Sequence, residues 1–308
     1  MQINRTQKVP AVLIFLVVLV LVGCQPAAAP AEPETENASL ATARVSAQQI
    51  EPGRATILAH NDLQYVVAES PSPDSLDQVD ALLAAQSTCA VFVAEKAAQE
   101  LDVALTGATA TASFNQEAQR VRVFLDLPGV DDDAVLALAN NLRQRWPIYT
   151  TLARAHSVDF NPGERFQMTA GDTAAVSATL TEFGQADVNA QEQTFVMDSV
   201  PPLDGPNLEL NPLDLMLGGL AGCAAFAVDD IEPLGQANVV VEGDFDPSGV
   251  RDLEGENPRI QALRIVVETE ADAENLAEEA EAQIAEECLL YQSLNGTVTI
   301  NVSTQSAN

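Results

Sequence analysis

Positively charged residues are scarce in this sequence. It holds 14 Lys and Arg against 45 Asp and Glu, which gives a formal net charge of −31, and its only lysines are Lys8 and Lys96. A surface with this excess of negative charge repels phosphate backbones and anionic lipid headgroups, and proteins hold nucleic acid mainly with Lys and Arg. The composition therefore argues against nucleic acid as a partner.

Several kinds of metal-binding or catalytic motif are also missing. The two histidines, His60 and His156, have no further ligands at the spacing that a zinc site needs. The sequence contains neither a Gly-rich phosphate-binding loop nor a Gly-x-Ser-x-Gly nucleophile elbow. We therefore expect no metal ion and no organic cofactor.

The first residues have the pattern of an export signal. Arg5 and Lys8 precede an apolar run from Val9 to Val22, and this run is shorter than the stretch of about 20 apolar residues that a membrane-spanning helix needs. It ends in Leu21-Val22-Gly23-Cys24, which matches the lipobox of bacterial lipoproteins, whose cysteine is acylated before cleavage. Residues 1–23 are therefore predicted to be a lipoprotein signal peptide; the alternative is an ordinary secretory signal that ends near a cysteine.

The segment that follows, residues 24–40, suits a tether. It is rich in Ala, Pro, Glu and Thr, a composition that cannot bury a core and is typical of extended, disordered chain. Several acyl chains hold a protein stably on a bilayer, whereas a single chain holds it only weakly. We expect an extracytoplasmic protein, lipid-anchored through Cys24 to the cell membrane or the outer membrane.

Three cysteines remain beyond Cys24, namely Cys89, Cys223 and Cys288. Disulfides persist outside the cytoplasm. An odd number of cysteines there indicates one disulfide-capable pair and one leftover thiol.

The body of the chain contains an internal repeat. Residues 77–89 align without gaps on residues 211–223; both segments end in Cys and both have Asp nine residues earlier. The pair Ala84-Ala85 in the first segment corresponds to Gly218-Gly219 in the second. One such match can arise by chance.

A second match in the same order makes chance a poor explanation. Residues 146–152 align with residues 288–294, where Tyr and Leu coincide and Trp146 stands opposite Cys288. Two ordered matches indicate a duplicated unit. We predict one copy over residues 41–162 and a second over residues 163–308.

Each copy is predicted to contain three strands, a long helix, two strands, a second helix and a closing strand. Alternating apolar residues indicate the strands, and apolar residues four apart indicate the helices. In the first copy these elements are Ala43–Gln48, Ala55–His60, Leu63–Ala68, the helix Asp77–Gln99, Asp102–Ala112, Arg120–Leu127, a helix with Ala134, Leu138, Leu142 and Trp146 on its apolar stripe, and Ser157–Asn161. In the second copy they are Arg165–Ala170, Ala174–Leu180, Thr194–Asp198, the helix Pro212–Ile231, Ala237–Phe245, Arg259–Glu268, a helix with Leu276, Ala280, Ile284 and Cys288 on its stripe, and Thr297–Ser303.

The long helix of the second copy has a clear start and an unusual interior. Asn211 is a favourable N-cap, Pro212 fits the first turn, and Asp214 at the third position completes a capping box. Gly in a helix interior costs up to about 1 kcal/mol relative to Ala. Gly218 and Gly219 are therefore predicted to let another helix approach closely; the alternative is drift in a loosely constrained helix.

These residues resemble a known family. Asn211-Pro212-Leu213-Asp214-Leu215-Met216-Leu217, followed by Cys223, is similar to the Pro-x-Glu-Leu-Leu…Cys helix start of the OsmC/Ohr family, the osmotically inducible and organic-hydroperoxide-resistance proteins, with Asp for Glu. Cys288 with Leu294 resembles the family's Cys-Pro-Val-x-x-x-Leu, without the Pro. The resemblance covers residues 165–303, and the first copy matches more weakly. It implies an α+β fold of two entwined units with buried central helices, here formed by OsmC-like tandem repeats as an intramolecular pseudo-dimer.

The resemblance also implies a chemistry. In that family one cysteine attacks a hydroperoxide and becomes a sulfenic acid, a second resolves it to a disulfide, and a thiol reductant restores the pair. Cys223 would be the first of these and Cys288 the second, in a peroxidase of the oxidative stress response. The first copy has Trp146 in place of the second cysteine and is expected to be degenerate. Arg165 is the candidate catalytic arginine, with Arg44 as the counterpart in the first copy.

Three features favour a different interpretation. The second helix of the second copy carries seven acidic residues over residues 272–287 and no basic one, which raises the pKa of a nearby thiol. Leu213 stands where Ohr-type members have a Glu that holds the catalytic Arg, and Asp214 lies about 180° around the helix from Cys223. Asp214 is thus predicted to act as a cap. The alternative function is a non-catalytic binding or structural module, with a disulfide that staples two helices.

Overall fold

The computed structural model describes residues 40–306 except 116, 119, 155–156, 192, 233, 235–236, 252–257 and 270–275. The predicted signal peptide, Cys24 and the tether up to residue 39 lie outside the described residues, as does His156. Among the described helices, none is both long and apolar enough to cross a membrane.

Apart from β4 and α5, which each occur in one copy, the elements follow the same order in both copies. The strands are β1 (Ala41–Glu51), β2 (Arg54–Leu58), β3 (Gln64–Ala68), β4 (Leu76–Asp77), β5 (Thr109–Asn115), β6 (Arg120–Asp126), β7 (Ser157–Pro162), β8 (Asp172–Glu182), β9 (Gln185–Ala190), β10 (Gln193–Asp198), β11 (Asn238–Phe245), β12 (Ile260–Thr269) and β13 (Thr299–Ser306). The helices are α1 (Gln78–Glu100), α2 (Asp132–Arg145), α3 (Pro147–Leu152), α4 (Pro212–Val228), α5 (Pro247–Arg251), α6 (Ala277–Glu287) and α7 (Leu289–Leu294).

The strands form two sheets, and each sheet takes strands from both copies. The first sheet has the order β13-β12-β11-β1-β2-β3-β4, and the second has the order β10-β9-β8-β5-β6-β7. The opening strand of each copy pairs antiparallel with a strand of the other copy, β1 with β11 and β8 with β5. The two copies therefore interlock within one compact unit, which confirms the predicted α+β pseudo-dimer.

The long helices α1 and α4 lie side by side at the centre. Helix α4 packs on the first sheet and α1 on the second, and the two helices contact each other. A Cβ added at Gly219 would lie 3.2 Å from the Ala81 Cβ and 3.4 Å from the Gln78 carbonyl oxygen. The helix backbones are thus close at Gly219, where a side chain larger than hydrogen would press on α1. All but one residue of α4 and most residues of α1 are buried, as expected for helices that are covered on most sides.

One predicted strand is wrong. Residues 165–170 form no strand; they lie between β7 and β8, where the Phe166 ring packs against the Phe124 ring at 5.5 Å between centroids. The sequence did not reveal the two-residue strand β4 or the strand β9, which pairs with β8 across a turn at Gly184. Gly184 has φ +70, a conformation that glycine adopts without strain. The short segment Gln185–Ala190 carries too few large apolar residues to be recognised by alternation.

The second helix of each copy is interrupted. At Trp146 the backbone turns extended (φ −93, ψ 100), and at Cys288 it does the same (φ −88, ψ 105), so each predicted helix ends before that residue and a short helix follows. Pro147 accounts for the break in the first copy, because proline disfavours a helical conformation for the residue before it. The second copy breaks at the same place without a proline. The predicted strand Asp102–Ala112 also begins later than expected, at Thr109.

Candidate functional site

Two cysteines of the second copy meet at one point. Cys223 lies in the second half of α4, and Cys288 lies at the junction between α6 and α7; they form a disulfide with their Cα atoms 5.3 Å apart. The exposed fraction is 3% for Cys223 and 0% for Cys288. The structure thus brings together the two residues that the sequence assigned as a redox pair.

Cys288 also caps a helix. Its Sγ accepts a hydrogen bond from the Tyr291 backbone N–H at 3.4 Å, so the side chain of Cys288 is the N-cap of α7. Backbone N–H groups at a helix start favour the thiolate form of a cysteine. The Tyr291 hydroxyl donates to Glu281 Oε1 at 3.3 Å, and burial, together with the negative charge of Glu281, raises the pKa of Tyr291.

The two candidate arginines form ion pairs of their own. Arg165 is 79% exposed and places its Nε 2.8 Å from Asp126 Oδ2, at the end of β6 in the second sheet. Arg44 places its Nη1 3.2 Å from Glu242 Oε1, between neighbouring strands of the first sheet. Helix α4, which carries Cys223, packs on the first sheet. These ion pairs therefore hold neither Arg44 nor Arg165 beside the disulfide.

The start of α4 is built as the sequence indicates. Asn211 Oδ1 accepts from the backbone N–H groups of Leu213 and Asp214 at 2.9 and 3.1 Å, and Asp214 Oδ2 accepts from the Asn211 backbone N–H at 2.8 Å. Asp214 therefore acts as the partner in a capping box. The Leu213 side chain, at the position where the resembling family has a glutamate, is buried among apolar residues.

His60, which has no metal-ligand partner in the sequence, lies against this capping box. His60 Nδ1 is 2.6 Å from Asp214 Oδ2, and its Nε2 is 3.2 Å from the Asn207 carbonyl oxygen. Because a carbonyl only accepts, Nε2 is the donor to Asn207. Asn211 Nδ2 also lies 3.3 Å from His60 Nδ1. Burial raises the pKa of Asp214, and hydrogen bonds from Asn211 and His60 oppose that rise. Only the interlocked topology joins these residues, which are 154 positions apart.

A tyrosine reaches the same helix from β3. The Tyr65 hydroxyl donates to the Asp214 carbonyl oxygen at 2.8 Å, and burial, with the charge of Asp214, raises the pKa of Tyr65. A Cβ at Gly218 would collide with this hydroxyl, and one at Gly222 would lie 2.9 Å from Val67. Gly218 therefore makes room for the tyrosine of the first copy.

The equivalent site of the first copy has no disulfide. Cys89 is a free, buried cysteine, and burial raises the pKa of its thiol to about 12, opposed by a hydrogen bond from the Ile148 backbone. Trp146 occupies the helix junction and stacks on Tyr149 with 5.1 Å between ring centroids. A thiol this hard to ionise is a poor nucleophile. No group of three metal-ligating side chains occurs in the described part of the chain.

The comparisons with known proteins point to one family. Residues 205–303 match the family described as OsmC-like protein, and no curated protein matches the chain. A crystal structure of an OsmC-like protein from Mycoplasma pneumoniae is 17% identical, with a TM-score of 0.35, over 44% of this chain and 98% of that chain. A second structure, from structural genomics, is 10% identical, with a TM-score of 0.34, over 38% of this chain and 94% of that chain. The chain thus contains an OsmC-like region at residues 205–303, which includes both cysteines of the disulfide.

Proposed function

We propose that this protein is a thiol-dependent peroxidase that reduces organic hydroperoxides with Cys223 and Cys288. The observation that carries the proposal is the disulfide between them, inside the OsmC-like region. A peroxidatic and a resolving thiol must come within bonding distance at the end of each cycle, and this pair does.

The proposed reaction has two steps at the cysteines and a third step with an external dithiol. The Cys223 thiolate attacks one oxygen of the hydroperoxide, the O–O bond breaks, and the alkoxide leaves and takes a proton, which yields a sulfenic acid and an alcohol. The Cys288 thiolate then attacks the sulfenic sulfur, and hydroxide leaves as water while the disulfide forms. An external dithiol returns two electrons by thiol–disulfide exchange.

Burial of the oxidised pair sets a condition on this mechanism. Both sulfur atoms are covered in the disulfide state, so the hydroperoxide reaches Cys223 only if the reduced pair separates and opens a path. Leu290, on α7 next to Cys288, already touches the position where a Gly219 side chain would lie. Movement of the short helix α7 would uncover this side of α4.

The second candidate is a structural disulfide without catalysis. Leu213 supplies no charge, and among the described residues the ion pairs of Arg44 and Arg165 engage Glu242 and Asp126 rather than either cysteine. A bond that closes a loop of 65 residues stabilises a protein by about 4 kcal/mol in the chain-entropy description. This benefit alone is a sufficient reason to keep the pair.

Single-turnover kinetics separate the two candidates. Reduced wild type should consume one equivalent of cumene hydroperoxide and form the disulfide again. Cys288→Ser should consume one equivalent and leave Cys223 as a trapped sulfenic acid, whereas Cys223→Ser should consume none. Cys89→Ser serves as the control and should behave as wild type. Equal consumption by wild type and Cys223→Ser would end the peroxidase proposal, and no consumption by wild type with any dithiol donor would leave the structural disulfide.

We also propose that the protein acts outside the cytoplasm, anchored by acyl chains on Cys24. The support is the sequence pattern of residues 1–24. Cys24→Ser should release the protein from the membrane fraction and prevent incorporation of labelled fatty acid. Unchanged membrane association of this variant would show that another segment is the anchor.

A further inference from the structure

A cleft separates the free edges of the two sheets, away from the cysteines. It has a volume of about 440 Å³ and lies between β3 and β4 on one side and β10 on the other. Its apolar lining consists of Leu63, Tyr65, Val66, Leu76, Phe195, Val196 and Leu210. Volumes of 300–1,000 Å³ with a mainly apolar lining are typical of small-molecule sites.

Both copies contribute equivalent residues to the cleft. The strand registers place Arg54 opposite Ala68 in the first copy and Gln185 opposite Asp198 in the second. This makes Tyr65 equivalent to Phe195, and Val66 to Val196. Leu76 and Leu210, directly before the N-caps of α1 and α4, form a further equivalent pair. The cleft therefore lies at the seam of the pseudo-dimer and exists only because the copies interlock.

The cleft is distinct from the disulfide. Leu210 lies just before the start of α4, whereas Cys223 is 12 residues after the N-cap Asn211, which corresponds to roughly 18 Å along an α-helix. None of the residues that line the cleft is a cysteine or a neighbour of one. A ligand in the cleft would not touch the redox pair.

The polar groups at the cleft are amides and acids. Gln64 and Gln193 supply amides, and Asp74 and Glu209 supply carboxylates, whereas the lining has no Lys, Arg or His among the described residues. Asp74 is paired with Arg54, whose Nη2 lies 3.1 Å away. Glu209 is exposed at the rim, and its backbone N–H, not its carboxylate, is held by Asp198. The negative potential at this mouth opposes an anionic ligand and attracts a cationic one.

The walls explain why the cleft stays open. Among the described strands, β10 has a neighbour only on its β9 side, and β3 pairs with β4 only at Val67 and Ala68. The hydrogen bond from Gln193 Nε2 to the Ser72 carbonyl oxygen, at 3.0 Å, joins the two hairpins at one end. The two sheet edges are thus joined at one end, with apolar side chains lining the space between them.

We propose that this cleft binds a slender apolar molecule with a cationic or neutral head, its alkyl or aromatic body between Phe195, Val196 and Leu210 and its head at Glu209. The class follows from the apolar floor, the acidic rim and the absence of a basic lining residue. The proposal does not depend on peroxidase activity, because no cysteine takes part.

The test uses the full-length chain with Cys24→Ser, so that no acyl chain is attached. Fluorescence of N-phenyl-1-naphthylamine reports occupation of the cleft, and dodecyl amphiphiles with trimethylammonium, maltoside or sulfate heads compete below their micelle concentrations. We expect binding of the probe and displacement in the order ammonium, maltoside, sulfate. Val196→Arg, at a side chain that is 41% exposed, should weaken probe binding at least tenfold with an unchanged melting temperature.

Two variants sharpen the result. Leu136→Arg, at a position on α2 that is 60% exposed and outside the cleft, is the matched control and should bind as the parent chain does. Glu209→Gln should reduce the preference for ammonium over maltoside about threefold and leave the neutral probe unaffected. An equal loss in Leu136→Arg, tighter binding of the sulfate, or no binding of any amphiphile would overturn the proposal. Binding of a basic extended peptide in place of all amphiphiles would assign the cleft to a peptide instead.

Discussion

The two copies of the unit place different side chains at equivalent positions of the same fold. Gly218 in α4 faces Tyr65 from the first copy, whereas the equivalent positions at the other helix are Ala84 in α1 and Phe195 from the second copy. The Tyr65 hydroxyl, which Phe195 lacks, packs against Gly218, which lacks the methyl group of Ala84. In a symmetric dimer one residue must serve both interfaces. A duplicated chain is free to change each interface separately, and here the changes are complementary.

The buried acids at the two helix starts differ in the same way. Asp214 faces His60, while Asp80 accepts a hydrogen bond from Gln191 Nε2 at 2.6 Å. A histidine can give up or hold a proton near neutral pH, and a glutamine cannot. Burial, with the charge of Asp77, raises the pKa of Asp80 to about 7 against the hydrogen bond from Gln191. Asp80 therefore has an amide as its partner where Asp214 has an imidazole.

The largest expected difference between the copies concerns their cysteines. Cys223→Ser and Cys288→Ser should each lower the free energy of unfolding by about 4 kcal/mol, because each removes the disulfide and its constraint on the unfolded chain. Cys89→Ser should cost about 1 kcal/mol, since it changes only a buried side chain. Denaturant unfolding measures all three.

Reduction of the wild type provides the control for this prediction. Dithiothreitol should destabilise wild type and Cys89→Ser by the same amount and should leave the two other variants unchanged. If Cys89→Ser were as unstable as Cys223→Ser, the predicted difference in stability effect between the cysteines of the two copies would be wrong.

The next effect tests the complementary pair at Gly218. Gly218→Ala should destabilise by about 1–3 kcal/mol through overpacking against Tyr65, although alanine improves helix propensity by about 1 kcal/mol. Tyr65→Phe should recover part of this loss in the double variant, because it creates the combination found at the equivalent interface, Ala84 with Phe195. A double-mutant cycle measures the coupling.

A matched substitution at the equivalent helix position of the first copy serves as a control. Ala84→Gly should destabilise by about 1 kcal/mol from helix propensity, and further through loss of a buried methyl group. Additive effects of Gly218→Ala and Tyr65→Phe would contradict the complementary packing.

The smallest effect concerns pH. The carboxyl of Asp80 has a folded-state pKa near 7 and an ordinary value near 3.9 in the unfolded chain. It stays protonated in the folded state while the unfolded chain ionises, so its contribution to stability is present below about pH 4 and is lost as the pH rises towards 7. Asp80→Asn should flatten this dependence, with a gain on the order of 1 kcal/mol at pH 7 relative to pH 5. Thermal melts from pH 4 to 8 give the profile, and a slope identical to that of wild type would refute the shift.

Much of the fold follows from sequence periodicity. The gapless match between residues 77–89 and 211–223 identified both central helices, and their small residues correctly suggested a close contact between them. The strand β9 escaped because Gln185–Ala190 alternates Ala and Val with polar residues over too short a span. Residues 165–170 alternate by composition but pack through Phe166 rather than in a ladder.

The site was predictable only where it rests on a motif. Cys223 and Cys288 were assigned through the family resemblance, and the structure joins them. The sequence did not reveal the role of His60, because its partner Asp214 lies in the other copy. No local sequence pattern encodes a contact between elements of different copies. The cleft between β3 and β10 was invisible for the same reason.

The exchange of strands between copies also determines how the chain can fold. The first sheet is complete only when β1 pairs with β11, which lies about two-thirds of the chain away. Contacts between such distant residues form slowly, because a long loop must close before they give any stability. Until then the emerging first copy exposes strand edges that favour aggregation. Residues 41–162 expressed alone would have half of each sheet, so the two copies should unfold together in one cooperative transition and refold slowly.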